Sequence, residues 1–263
     1  MSDQKRLFFG FEVKAPWPKS FSKGRMLREG DRHITVAFLG ETSQEKVMGW
    51  MDELPKPSFK VGTVGTFDAC LFLPKAHPRV VAWRGLPLGE DLLAPYSDNL
   101  TAFLRDKGYS IQKRPFLNHT TLARSPFDPG EWEEAFQPLP YMTHHLHLYE
   151  SLGHLNYKPI WSHKLAFPFE EFEHVADIAF RIRGESVKQL YYHAQIALAF
   201  ECPELASFLD REGEVQNLEE AIMKLNEIVM HGDREIGTPF KAVSFHGNVK
   251  EGDSLTWEMI VDV

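Results

Sequence analysis

His33-Ile34-Thr35-Val36 and His119-Thr120-Thr121-Leu122 each set a histidine two positions before a threonine, inside an apolar run that reads as a β-strand. Side chains at i and i+2 of a strand share a face. Each stretch therefore presents one imidazole and one hydroxyl on a single surface. Two such strands facing each other across a groove would gather two histidines and two threonines around one point. That set suits acid–base chemistry on a phosphate ester: histidine gives or takes a proton near neutral pH, and a hydroxyl can hydrogen-bond a non-bridging oxygen.

The spacing alone is a modest signal. With 12 histidines and 10 threonines in 263 residues, chance supplies about half a His-x-Thr. A lone copy is most simply a pair of strand residues with ordinary β-propensity. The flanks carry the case. The first copy reads Arg32-His33-Ile34-Thr35-Val36-Ala37-Phe38-Leu39-Gly40, and the second Phe116-Leu117-Asn118-His119-Thr120-Thr121-Leu122-Ala123-Arg124. Arg124, just beyond the second copy, could add positive charge for a pentavalent phosphorus.

The formal charge of −8 is unevenly distributed. Residues 1–168 hold 21 Lys and Arg against 18 Asp and Glu, net +3, whereas residues 169–263 hold 8 against 19, net −11. The first part can accept a short polyanion; the second cannot without a bound cation or a basic protein partner. We place a domain boundary at about residue 168, where the acidic run Phe169-Glu170-Glu171-Phe172-Glu173 begins. Cys70 and Cys202 are the only cysteines, which argues against a disulfide framework or a cysteine zinc site and fits a reducing cytosol. No apolar run approaches the roughly 20 residues of a membrane span. Residues 1–5 lack the apolar core of a signal peptide.

The chain reads as α+β. Strands are expected over 7–13, 32–39 (stopped by Gly40), 67–73, 79–84, 119–123, 146–151 and 161–167, with 15–30 an irregular loop. Ser43 caps an expected helix that runs to Pro55, 90–107 has helical spacing ended by Gly108, and a short helix lies near Trp132. In the second part, 178–183, 240–246 and 255–261 read as strands, and 186–200 and 218–230 as helices. His144, His145 and His147 cluster on one strand. With no carboxylate or cysteine evident beside them, they read as ordinary strand histidines rather than metal ligands.

With its flanks, the paired motif makes residues 5–167 resemble the two-histidine phosphoesterase superfamily, and within it the LigT-like RNA 2′,3′-cyclic phosphodiesterases. Val80-Val81-Ala82-Trp83, Lys107-Gly108-Tyr109 and Leu148-Tyr149-Glu150-Ser151 agree with this. The resemblance implies a bilobal fold whose antiparallel sheets line a central groove, and metal-free hydrolysis of a cyclic phosphate end of RNA to a 2′-phosphomonoester. It makes His33 the general acid and His119 the base, with Thr35, Thr121 and Arg124 on the phosphate. An acidic second part opening with Phe172-Glu173-His174-Val175-Ala176-Asp177-Ile178 and closing with Lys241-Ala242-Val243-Ser244-Phe245-His246 and Val261-Asp262-Val263 resembles archease, the small α+β protein that assists a tRNA-splicing RNA ligase. Its middle is shorter than in that family. The resemblance implies a metal held by Asp177, Asp262 and the terminal carboxylate of Val263, and such oxygen ligands suit Ca²⁺ or Mg²⁺. It implies an RNA ligase as partner. Two other functions fit the same features: a non-catalytic RNA-end-binding assembly factor for a ligase, and a phosphodiesterase for a small nucleotide-derived cyclic phosphate.

Overall fold

The computed structural model describes residues 4–111, 114–174 and 177–263, apart from the Asn248 side chain. Val175 and Ala176 of the archease-like opening motif and Met1–Asp3 of the polar start lie outside the described residues.

The first part is built on β1 (Gln4–Lys14), β2 (Arg25–Met26), β3 (His33–Ser43), β4 (Val64–Leu73), β5 (Val80–Pro87), β6 (His119–Arg124), β7 (Leu139–Gly153) and β8 (Asn156–Lys164). They form one eight-stranded sheet in the order β1-β3-β6-β5-β4-β7-β8, with β2 on β6. β1 also pairs with β7, so six strands close into a ring. The antiparallel sheets expected to line a groove are therefore joined edge to edge into one. β7, at 15 residues, is long enough to pair with β4 through residues 139–142 and with β1 through 142–150. The ring is completed elsewhere by a single β3–β6 pair, Ile34 opposite Thr120. Every pairing between these strands is antiparallel. Helices α1 (Gln44–Met48), α2 (Leu93–Asp106) and α3 (Pro129–Glu134) lie outside the sheet. α2 packs Leu93, Tyr96, Leu100 and Leu104 inward, in a core shared with Phe11, Ile34, Phe67, Trp83 and Leu146.

Several expected boundaries move. β3 passes through Gly40, whose φ of 79° suits glycine, and continues to Ser43. Ser43 does cap α1, accepting from Lys46 N, but the helix stops at Met48 and a short 3₁₀ turn follows at Met51–Glu53. The expected loop 15–30 contains β2 and the start of a 3₁₀ turn, Glu29–Asp31.

The second part holds a four-stranded sheet in the order β11-β12-β10-β9, from β9 (Phe169–Phe172), β10 (Ile178–Gly184), β11 (Ala242–Lys250) and β12 (Leu255–Asp262). α4 (Val187–Glu201) is capped by Ser186, and α5 (Leu218–Ile236) by Asn217 at its start and Gly237 in left-handed conformation at its end. Residues 190–199 of α4 are all buried. A helix apolar all round must be covered all round: α4 touches β9, β10, β12 and α5 on its own side and β4 and β7 of the first part on the other. Its core accordingly includes Val64, Leu88 and Met142. A Cβ at Gly89 would stand 2.7 Å from the Tyr192 ring, so glycine permits this approach. Arg211 donates to Thr66 Oγ1 and to the carbonyl of Pro87 across the same junction.

Candidate active site

The lone β3–β6 pair joins the middle residues of the two motifs, Ile34 and Thr120. Antiparallel continuation sets His33 opposite Thr121 and Thr35 opposite His119. Alternation then directs Ile34 and Thr120, both fully buried, away from the two histidines and the two flanking threonines. His33, Thr35, His119 and Thr121 line one cleft of about 450 Å³. The structure thus brings the four residues together.

Each motif is followed by a bulge at the same offset. Phe9 pairs with Ala37 and Gly10 with Thr35, leaving Val36 unmatched. Val81 pairs with Ala123 and Ala82 with Thr121, leaving Leu122 unmatched. Both bulged residues are buried, and both carbonyls are satisfied from outside the sheet ladder: Ser97 Oγ donates to Val36 O at 2.7 Å and Leu27 N to Leu122 O at 2.8 Å. Each bulge shifts the alternation by one. Phe38 and Arg124, both three residues after a motif threonine, therefore turn onto the cleft.

The imidazoles are aimed by identical contacts. His33 Nδ1 lies 2.7 Å from the carbonyl of Asp31, and His119 Nδ1 2.8 Å from that of Leu117, each two residues back. A carbonyl only accepts, so Nδ1 carries a proton and Nε2 is left to exchange one. His33 packs among Phe8, Tyr149 and Tyr157, with ring centroids 4.7, 5.1 and 5.0 Å away. A Cβ on Gly10 would stand 3.3 Å from His33 Cδ2, so the glycine leaves room for the ring. Burial pulls the His33 imidazole down to about 4, opposed by the Asp31 carbonyl. Burial also lowers His119, and Arg114 adds to the effect.

Arg124 lines the cleft, as do Arg6, Arg25 and Arg114, which sequence reading did not single out. Among the described residues no Asp or Glu lines it. The signal available for these arginines was only the +3 balance of the first part. Arg6 comes from β1 and is stacked 4.9 Å over Phe38; Arg25 comes from β2, where it pairs with Arg124. The rim opposite is the β7–β8 hairpin, whose turn residues His154 and Leu155 have φ of 50° and 67°. Asp31 Oδ1 accepts from Tyr157 N at 3.1 Å, tying that hairpin to the segment that aims His33. A second cleft of about 750 Å³ shares Thr35, Phe38, Leu73, Arg114 and His119 and extends from β3 to Ser110, Ile111 and residues 114–117.

In the second part, β10 and β12 pair from Ile178 opposite Val261, so Asp177 and Asp262 occupy the next facing positions. Asp177 Oδ2 lies 3.5 Å from His174 Nδ1. Lys241 Nζ lies 3.9 Å from Asp262 Oδ1 and 2.5 Å from Val263 O, so an ammonium group already stands at the chain end.

The chain matches no family model and no curated protein. Among solved structures it is similar to apo LigT of E. coli (25% identity, TM-score 0.47, covering 63% of this chain and 99% of LigT). It is similar also to LigT bound to 3′-AMP (24%, TM-score 0.45, 62% and 98%) and to a structure described as a phosphoesterase (24%, TM-score 0.46, 62% and 99%). At TM-scores below 0.5 the likeness carries no statement about substrate, and each match leaves more than a third of this chain outside it. No helix among the described residues is long and apolar enough to cross a membrane.

Proposed function

We propose that the cleft hydrolyses a 2′,3′-cyclic phosphate at the end of an RNA, giving a 2′-phosphomonoester. The observation that carries this is the convergence of His33, Thr35, His119 and Thr121 on one face, each imidazole held at Nδ1 with Nε2 left for proton transfer. His119 takes a proton from water as the water oxygen bonds to phosphorus. The P–O3′ bond breaks, and His33 delivers a proton to the departing O3′. Assigning acid and base in this order follows the family resemblance. Thr35 and Thr121 donate to the non-bridging oxygens, each such bond to a charged group being worth about 1.5–3 kcal/mol. Arg6, Arg25, Arg114 and Arg124 offset the phosphate charge, and the adjoining 750 Å³ cleft leaves room for more than one nucleotide.

The test is turnover of an oligoribonucleotide with a cyclic end beside a cyclic mononucleotide, with the product isomer read by phosphorus NMR. His33→Ala and His119→Ala should each lower kcat by about 10²–10⁴. Unchanged rates in both variants overturn the reading. Faster turnover of the mononucleotide would move the substrate to a small cyclic phosphate.

Residues 1–168 and 169–263 are, in the same proposal, two modules that join RNA-end hydrolysis to a cytosolic splicing or repair ligase, the second acting as archease-like helper. The donors Asp177, Asp262 and the Val263 carboxylate would hold Ca²⁺ or Mg²⁺ in competition with Lys241, whose single positive charge already stands beside Asp262 and Val263. Calorimetric titration with either ion, and a ligase assay with and without this chain, test that extension.

A further inference from the structure

The histidine cluster of β7 has a carboxylate partner that its own strand does not supply. Glu12, on β1, arrives from 133 residues away, its Oε2 3.2 Å from His145 Nδ1 and 3.6 Å from His147 Nε2. A change of register makes the meeting possible. Phe11 pairs with Leu146 but Val13 with Thr143, so Glu12 faces an extra residue on β7. The resulting bulge also brings His144 Nε2 within 3.8 Å of the same oxygen, although His144 would point away from His145 on a regular strand.

One ligand atom from each of Glu12, His145 and His147 lies within 4.8 Å of the others. Around a tetrahedral zinc ion with bonds of about 2.0–2.1 Å, donor atoms stand roughly 3.3 Å apart. The carboxylate–imidazole separations already bracket that spacing. His147 Nδ1 is held by Ser162 Oγ at 2.7 Å, which fixes the ring with Nε2 toward Glu12, as outer hydrogen bonds orient metal-bound histidines. His144 is 2% exposed, is stacked on Phe167 and has no partner at Nδ1. None of these four residues lines the phosphate cleft. Tyr149 stands between the two places, its ring centroid 5.1 Å from both His147 and His33.

We propose that Glu12, His145 and His147 bind one divalent transition-metal ion of the zinc type, cross-linking β1 to β7 and leaving a coordination position open on the side of His144. Two nitrogens and one carboxylate oxygen favour zinc and its transition-metal neighbours over Ca²⁺ or Mg²⁺, which take oxygen ligands.

Calorimetric titration of the full, metal-stripped chain with Zn²⁺ tests this, with Co²⁺ as a spectroscopic stand-in. The expected result is about one Zn²⁺ per chain with a Kd on the order of 1 μM or tighter, and intense visible bands of four-coordinate Co²⁺. Glu12→Gln and His147→Ala should each weaken binding about 10–100-fold, whereas His163→Ala, on the neighbouring β8, should leave it unchanged. The Co²⁺ spectrum of the unsubstituted chain decides the matter should a variant fail to fold. Weaker than 100 μM binding (about a hundredfold above expectation), six-coordinate Co²⁺ bands, or affinity unaltered by both substitutions overturns the site.

Discussion

His33 and His119 are neutral-leaning groups in the free protein, because burial acts on both before any substrate charge does. A base held below the ordinary histidine value stays unprotonated to lower pH, and an acid held below it is protonated only at lower pH. Both limbs of a pH profile of kcat/KM, which reports the free enzyme, therefore move to the acid side. The expected optimum lies below pH 6.5, the ordinary histidine value, with activity falling as pH rises beyond it. Initial rates at substrate well below KM, measured from about pH 4 to 9, check this; an optimum in the alkaline range would mean the imidazoles are not the titrating pair. At this scale the sequence was readable where chemistry repeats with the period of a strand, as in the two His-x-Thr pairs. It was opaque where a partner is distant. Nothing near His145 or His147 announces Glu12, and nothing near His119 announces Arg6 or Arg25, because those meetings are made by strand pairing.

Elements were most legible where periodicity is long and capped, as in α2, α4 and α5, and least where a single residue carries two meanings. Gly40 reads as a stop, yet glycine equally serves a bulged strand, and β3 continues past it. β9 was hidden because Phe169-Glu170-Glu171-Phe172 is too short and acidic to show alternation. The β7–β8 hairpin went unnoticed for a similar reason: two-residue turns with positive φ are recognised by Asn-Gly or Asp-Gly, and this one uses His154-Leu155. A leucine at φ 67° is strained, at a cost of about 1–2 kcal/mol. Leu155→Gly should therefore raise unfolding free energy by about 1 kcal/mol, glycine's greater freedom in the unfolded chain offsetting part of the relief. Urea unfolding at neutral pH measures it. A loss of stability instead would show that Leu155 contributes more by contact at the cleft rim than its backbone costs.

Across the whole molecule, the change of charge near residue 168 coincides with the passage from the eight-stranded to the four-stranded sheet, but charge gave no sign of how much the two parts share. α4 is covered from both sides, and its core takes Val64, Leu88 and Met142 from strands and loops of the first part. Separating the parts would expose apolar surface on each, so they should unfold together in one transition. Two buried histidines report on this independently. His33 belongs to the cleft, and His193 lies in α4, its Nδ1 donating to the carbonyl of Arg183; both are lowered from 6.5 to about 4 by burial. Between those values the unfolded chain binds more protons than the folded one, so stability rises with pH. The contribution is full above about pH 6.5 and is lost as pH falls toward 4, at up to about 3 kcal/mol for each histidine. Glu12, held near 2, begins to act only below its ordinary value of 4.5, so measurements between about pH 5 and 7 isolate the histidines. Urea titrations across that range should show one transition whose free energy falls with acidity by at least about two protons' worth, since His144, also lowered to about 4, and His119, His145 and His163, lowered too, add to the fall. His193→Gln should remove one of the two while leaving a single transition. Two transitions, of which only one responds to His193→Gln, would show that the sheets fold as independent units despite the helix between them.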